Sequence, residues 1–467
     1  MNQNFLKHIN KYHPIQWLLK SVELSRKNNS KFKNKLNISS SSAFLVIMSD
    51  IAIRVSQNDK LYGNIPTDKE YEDFISIYVN TQSSTHTQLL QEYGVLALSL
   101  IVTEQLKFQY PSTNLIGRLS LLYAEYEDEI FEITGLKIIH IITILLALMA
   151  FYQKPEHYSF EVKHLNIETI DGLKKENIIN FLHYFSTDVK SYKTELKNLG
   201  FDKRQLYSFR LLEKIPIINF NTDHYILPTL DNLLYSVTSN MNIHLLTYFS
   251  KIEKGKKYLD SLGVKFEDYV RLLTNEVFND IVEARDVVPK ETENAEFVIN
   301  FDKTAIVVEV KKFVLLRDSA FKTDIDDLDM LLKRHIVKAY KQIETTFKYL
   351  KQENKIGIIV TLGDINMQTS IVDYIRSKYP TEGVKYLDNI VIMSIGAYEA
   401  LLANTPEDII TILNTYLDTN SNDKSDILLT IHSLQKETIN PFLLKKYTME
   451  LAKINQIKSI EEDMEKS

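Results

Sequence analysis

The 467-residue chain contains no cysteine. Disulfides, thiolate zinc sites and cysteine nucleophiles are therefore excluded, and any metal has to be held by carboxylate or histidine. Glycine (12 residues) and proline (10 residues) are scarce. The chain has no phosphate-binding glycine loop, too little glycine for a dinucleotide fold, and neither HExxH nor GxSxG, so no motor, ATPase or zincin chemistry is legible. A formal net charge of −6 lacks a global basic signature, and a nucleic-acid surface has to be local. The most apolar run, IIHIITILLALMAFY at 138–152, carries His140 and is shorter than the roughly 20 residues a membrane span needs. It predicts a helix buried on all sides, and no membrane is expected as a partner. The start, MNQNFLKHINKYHPIQWLLKS, has no uninterrupted apolar core of the signal-peptide kind, which predicts a cytoplasmic location.

What is present is enough apolar material, 44% of residues, to fill the cores of two or three domains. Polar clusters and changes of period divide the chain into four blocks. Residues 1–155 read as an all-helical domain, with Pro14 at a helix start, a helix after the serine run before Ala43, and GVLALSLIVTEQL and the 138–152 helix further on. Residues 156–255 read as a mostly helical connecting domain with a small hairpin, IPIINF and HYILPTL, followed by helical DNLLYSVTSNMNIHLLTYFS. Residues 256–405 alternate helix, two or three strands, helix, strand, helix, strand, helix, which predicts an α/β layer sandwich with a mixed sheet. Residues 406–467 form a helical tail. The expected fold class is thus α/β fused to a large, mainly α-helical N-terminal domain.

Within the third block, AEFVINFDKTAIVVEVKK (295–312) sets Glu309 and Lys311 two residues apart on an apolar strand. In a strand, residues two apart share a face; on a helix they do not. Other acid-x-lysine triplets, Asp188/Lys190, Glu195/Lys197 and Glu353/Lys355, fall in segments that read as helix or loop. A hairpin centred on Asp302-Lys303 makes opposed residue numbers sum to 605, which sets Glu296 against Glu309. Facing carboxylates repel unless a cation lies between them, and Mg²⁺ prefers oxygen ligands of this kind. Lys311 would then stand beside the metal as a point charge for a phosphate oxygen or a water. Asp302, at the turn, is too far along the strand to join them.

Glu296 followed by Glu309-Val310-Lys311 resembles the PD-(D/E)XK nuclease superfamily over residues 256–405. The resemblance implies a restriction-endonuclease-like mixed sheet sandwiched by helices and a Mg²⁺ centre, with Mn²⁺ able to substitute. It further implies Glu296 and Glu309 as metal ligands, Lys311 as the catalytic lysine, Glu267 of FEDYV as a further metal-binding acid on the preceding helix, and Gln342 of AYKQIETTF as a catalytic polar residue on the following one. Glu276 and Glu283 are alternatives to Glu267. Glu296 departs from the family's usual aspartate. The bland readings are a solvent-facing Glu309/Lys311 ion pair, Glu267 as a macrodipole acid, and Gln342 on a solvated face.

Residues 303–351 hold eleven Lys/Arg against seven Asp/Glu, a local net of +4. Lys312, Lys333, Arg334, Lys338 and Lys341 are the candidate nucleic-acid-binding side chains, with Lys322 beside them. DIDDLD (324–329) reads as a loop with helix N-capping, and His140 and His335 read as structural. The expectation is a Mg²⁺-dependent endodeoxyribonuclease acting on DNA, laid out like prokaryotic restriction or anti-phage defence effectors. Such a layout is compatible with a homo-oligomer and with a partner defence protein. The alternatives are a degenerate nucleic-acid-binding scaffold and a helical protein-interaction protein.

Overall fold

The computed structural model describes residues 3–31, 42–61, 63–93, 109–152, 159–165, 173–198, 211–221, 223–312, 325–364, 368–378, 387–419 and 426–464. The predicted segment GVLALSLIVTEQL and Lys322 lie outside them. The chain combines helices with two small mixed sheets and divides into two compact units. One comprises Met1–His86, Arg118–Tyr248 and Lys446–Ser467; the other comprises Thr87–Gly117 and Phe249–Lys445.

In the first unit, α1 (Pro14–Lys31) starts at proline, whose preset φ suits a first helical position and whose missing N–H would be unbonded there anyway. Trp17 on α1 is fully buried against Phe74 and Tyr71, and its indole N–H donates to the Ile9 carbonyl at 3.0 Å. Left unpaired, that N–H would cost about 1–3 kcal/mol. The helix α2 (Ser42–Val55) is buried from Ala43 to Val55, including Asp50 and Arg54. The 138–152 run is α3 (Ile138–Tyr152), with Ile141, Ile142, Ile144 and Leu145 fully buried. Among the described residues no single helix is long and apolar enough to cross a membrane; α3 passes such a test only together with the helical stretch before it, across a 73° bend.

Further on, α4 (Lys175–Phe185) leads into β1 (Ser186–Asp188), and α5 (Val189–Asn198) follows. Strand β1 runs parallel to β2 (Ile217–Asn221), which pairs antiparallel with β3 (His224–Ile226) as the predicted hairpin. The stretch from Asp231 to Ser250, expected to be helical, forms two helices, α6 (Leu230–Val237) and α7 (Met241–Lys251). Thr238 Oγ1 takes the Leu234 carbonyl and Asn240 Nδ2 donates to the Glu213 carbonyl. Short polar side chains that bond the backbone interrupt a helix at such a point.

The second unit is built on a five-stranded sheet in sequence order. After α8 (Gly255–Asn275) come β4 (Ile281–Glu283), β5 (Phe297–Phe301) and β6 (Thr304–Lys311), all antiparallel neighbours. Then β7 (Asn354–Thr361) pairs parallel with β6, and β8 (Ile390–Ser394) parallel with β7. Parallel neighbours require crossovers. The first is α9 (Ile325–Leu332), a π-helical segment Lys333–Val337 and α10 (Lys338–Phe347); the second includes α11 (Gln368–Lys378), and α12 (Ile395–Leu401) closes the series. DLDMLLKRHIVKAYKQIETTFKYLKQ (327–352), which reads as one long amphipathic helix, holds one π turn and is helical only as far as Phe347.

Strand β6 is buried from Thr304 to Val310 because helices cover both its faces. On one face Arg271 of α8 lies over Phe297, and Lys312, just past β6, bonds to the Leu259 carbonyl of the same helix at 2.7 Å. The opposite face carries Gly357, where a Cβ would stand 2.8 Å from Ile343 of α10 and 2.7 Å from Ile390. Glycine there lets α10 settle close on the sheet. A strand covered on both faces loses the polar alternation of a one-sided sheet, which is why AIVVEV is continuously apolar up to its acid.

Candidate functional site

The β5–β6 hairpin closes on a two-residue turn, Asp302-Lys303, with Asp302 at φ +50°, a left-handed conformation that aspartate tolerates better than most residues. Its ladder runs from Phe301↔Thr304 to Phe297↔Val308. Every pair sums to 605, the register read from the sequence. Glu296 lies one residue beyond the last pair. Its backbone N–H donates to the Val308 carbonyl at 3.1 Å, and its own carbonyl accepts from Ala284 at 3.2 Å. Both its backbone groups are thus tied to the sheet on either side.

Glu309 is fully buried, and its Oε1 is ion-paired with Lys311 Nζ. The second carboxylate oxygen, Oε2, has no hydrogen-bond partner among the described residues. Lys311 Nζ also donates to Gln342 Oε1 at 3.1 Å, and Gln342 Nε2 donates to the Asn294 carbonyl at 2.8 Å. A strand lysine and a helix glutamine are thereby locked together. Burial pushes the Glu309 carboxyl up to about 8; Lys311 works against this, and the charge of Glu296 adds to it. Burial followed by the charge of Glu296 raises half-buried Glu267, on α8, to about 7. Glu296 is also raised, by burial, with Lys311 and Arg271 opposing. Three carboxyl groups therefore feel one another and share the field of Lys311.

One residue that the sequence reading passed over, Arg271, belongs to this surrounding. Arg271 follows Glu267 by one helical turn and clamps Glu283 of β4 with two nitrogens, at 2.5 and 3.3 Å. Its guanidinium stands 4.9 Å from the Phe297 ring centroid. The i,i+4 spacing from Glu267 was the available signal. Glu283, an alternative to Glu267, is thus occupied by Arg271, while Glu276 is exposed at the end of α8. Asp302 sits at the opposite end of β6 from Glu309.

The basic candidates are arranged unevenly. Lys312 is folded back on α8, bonding the Leu259 carbonyl and Asp260. Lys333, Arg334, Lys338 and Lys341 are exposed along the π segment and α10, with Lys338 3.3 Å from Glu293. Of DIDDLD, residues from Ile325 on are helical, and Asp329 accepts from the Tyr374 hydroxyl at 2.9 Å.

No group of three or more His, Asp or Glu side chains among the described residues is gathered closely enough to hold a metal ion. The donor types are nevertheless those a hard cation takes: three carboxyl groups raised chiefly by burial, and one buried oxygen without a hydrogen-bond partner among the described residues. Chemically, the end of β6 offers carboxylate oxygens and, beside them, one ammonium. No family model, curated protein or solved structure matches the chain.

Proposed function

We propose that the second unit is a metal-dependent nuclease centre of the PD-(D/E)XK kind, hydrolysing phosphodiester bonds, with DNA as the substrate class. The observation that carries this reading is the end of β6: a fully buried Glu309 with an unpartnered oxygen, next to a lysine held by both Glu309 and Gln342. The element order supports a restriction-endonuclease-like core, since a helix, an antiparallel meander ending in the acid-x-lysine strand, a helix and a parallel strand follow one another. Glu309, Glu296 and Glu267 would hold Mg²⁺, or Mn²⁺ in its place. When bound, the ion supplies Lewis-acid polarisation of the phosphate and a more acidic water. Lys311 offers its ammonium to a phosphate oxygen or to the attacking water, and Gln342 keeps that ammonium in place. Burial of Glu309 keeps bulk water from its carboxyl and strengthens its interactions.

A second reading, a catalytically degenerate nucleic-acid scaffold, is favoured by one observation. Lys311 is seated directly on Glu309, and a closed ion pair needs no metal. The two readings separate on a plasmid-nicking gel with wild type, Glu309→Ala and Lys311→Ala in Mg²⁺, Mn²⁺ or EDTA. Metal-dependent cutting lost in both variants supports the nuclease; cutting retained in Glu309→Ala sinks it; metal-independent binding without cutting supports the scaffold. A role in restriction or anti-phage defence, with the helical unit as sensor, is proposed from layout alone.

A further inference from the structure

Strands β1 and β2 of the first unit run parallel and end close together, with Asp188 opposite Asn219. The crevice outside the carboxyl ends of parallel strands is where open α/β sheets receive their ligands. A cavity of about 460 Å³ opens at this point, walled by the ends of both strands, the start of α5 and the residues where the chain enters α1. Strand β2 is bulged here: Asn219 and Asn221 pair with the consecutive Tyr225 and His224, which leaves Phe220 as the extra residue. Successive strand residues ordinarily point to opposite faces, and a bulge re-aims a side chain. Asn219, Phe220 and Asn221 can therefore all belong to the cavity wall.

The polar atoms of this wall are committed in one direction. Asp188, its one acid, accepts the Lys190 and Ser191 N–H groups at 2.8 and 2.9 Å through Oδ1, and the Ser191 hydroxyl at 2.6 Å through Oδ2. Asn219 Oδ1 accepts the Asn221 N–H at 3.1 Å, and His13 Nδ1 accepts the Ile15 N–H at 3.2 Å. A neutral imidazole that accepts through Nδ1 carries its proton on Nε2. Burial, followed by the charge of Lys193, holds His13 below the ordinary histidine value against the pull of Asp59, which favours that neutral form. What Asn219 and His13 still offer is an amide NH2 and a ring N–H, and exposed Lys190 adds an ammonium. With the acceptors of Asp188, Asn219 and His13 already used, such a wall suits an acceptor-rich anion. Ile15, Val189 and Phe220 make its apolar part. The volume is that of about fifteen waters, so a bare phosphate would leave most of it to solvent, whereas a ring of nucleobase size can lie against Phe220.

We propose that this cavity binds a nucleoside monophosphate, its phosphate met by Lys190, the Asn219 amide and His13 Nε2–H, and its base laid on Phe220 beside Ile15 and Val189. The site belongs to the first unit and does not depend on the nuclease reading.

Isothermal titration of the full-length chain with the four ribonucleoside 5′-monophosphates, their nucleosides and inorganic phosphate tests this, in EDTA so that no metal-dependent centre contributes. At least one monophosphate should bind with a Kd below about 1 mM, and about tenfold or more tighter than its nucleoside and than phosphate. Lys190→Ala and His13→Phe should each weaken that binding about tenfold, the range of a lost hydrogen bond to a charged group, and Phe220→Leu about fivefold through lost stacking. The Lys190 side chain is exposed, so Lys190→Ala should melt with wild type and decides the matter even where His13→Phe or Phe220→Leu melts lower. No binding of any monophosphate overturns the proposal. So does binding that Lys190→Ala leaves unchanged, which places the ligand elsewhere, and so does phosphate binding as tightly as every monophosphate, which leaves the base without a role.

Discussion

Asp50 in the first unit and Glu309 in the second are both buried carboxylates, 1% and 0% exposed, each paired with a basic side chain from its own element. Around Asp50 the charges balance. Arg54 Nε stands 2.6 Å away one helical turn on, and the Tyr192 hydroxyl of α5 donates to the other carboxylate oxygen. The same hydroxyl accepts the Leu212 N–H at 3.0 Å. Each carboxylate oxygen of Asp50 thus faces a base or a phenol, as in a structural cluster. Around Glu309 they are uneven: burial and the neighbouring Glu296 and Glu267 push its carboxyl up against the pull of Lys311, and Oε2 has no hydrogen-bond partner among the described residues. Acids perturbed in this way are enriched at functional sites.

The sharpest way to break this contrast is to neutralise each acid. Glu309→Gln should lower DNA cleavage by roughly three orders of magnitude, about 4 kcal/mol of transition-state stabilisation, without lowering the melting temperature. A fall in both together would place Glu309 with Asp50 as structural. Asp50→Ala should do the reverse, destabilising by about 3–5 kcal/mol because Arg54 is left buried without its partner. The change would appear in a urea midpoint followed by the fluorescence of Trp17, the single tryptophan, which lies in the same unit. An Asp50→Leu/Arg54→Met pair should recover most of the loss.

Acid offers a finer comparison. Burial pushes His244 in the first unit down to about 3, so its stability contribution is present above its ordinary value of 6.5 and is lost as pH falls from there towards 3. Burial pushes Asp426 in the second unit up to about 6 from 3.8; its contribution is present below 3.8 and is lost as pH rises through 6. Between pH 6 and 4 the first unit should therefore weaken by up to about 1.4 kcal/mol per pH unit from His244 alone, while Asp426 works the other way. Trp17-monitored urea curves of wild type and His244→Phe would show it; parallel pH profiles for the two proteins would remove His244 as the cause.

The smallest effect is expected at the exposed Lys338–Glu293 pair. Lys338→Ala should shift stability by no more than about 0.5 kcal/mol, yet reduce the salt dependence of DNA binding by about one unit of slope if Lys338 meets a phosphate. An unchanged slope would remove Lys338 from the nucleic-acid surface.

Some of this was legible without coordinates. The β5–β6 register follows from a two-residue turn and strict alternation, and both are local properties of residues 296–309. Gln342 could be named, but its bond to Lys311 could not, because the partners are 31 residues apart and meet only when α10 lies on the sheet. Arg271, Glu283 and the π turn left weaker traces. An ion pair between α8 and β4 depends on how a helix packs across a sheet, and a single extra residue in a helix does not disturb its apolar pattern enough to be read.

By itself, then, the sequence determined which chemistries are excluded, where the β5–β6 hairpin lies, and which acid stands two residues from a lysine on one strand face. These are consequences of composition and of the period-2 geometry of a strand. Only the tertiary structure decided that segments as distant as 87–117 and 249–445 share one unit, and that Glu309 is buried with one carboxylate oxygen left without a hydrogen-bond partner among the described residues. Burial and charge proximity depend on which surfaces of distant segments pack together, and that is a property of the folded chain as a whole.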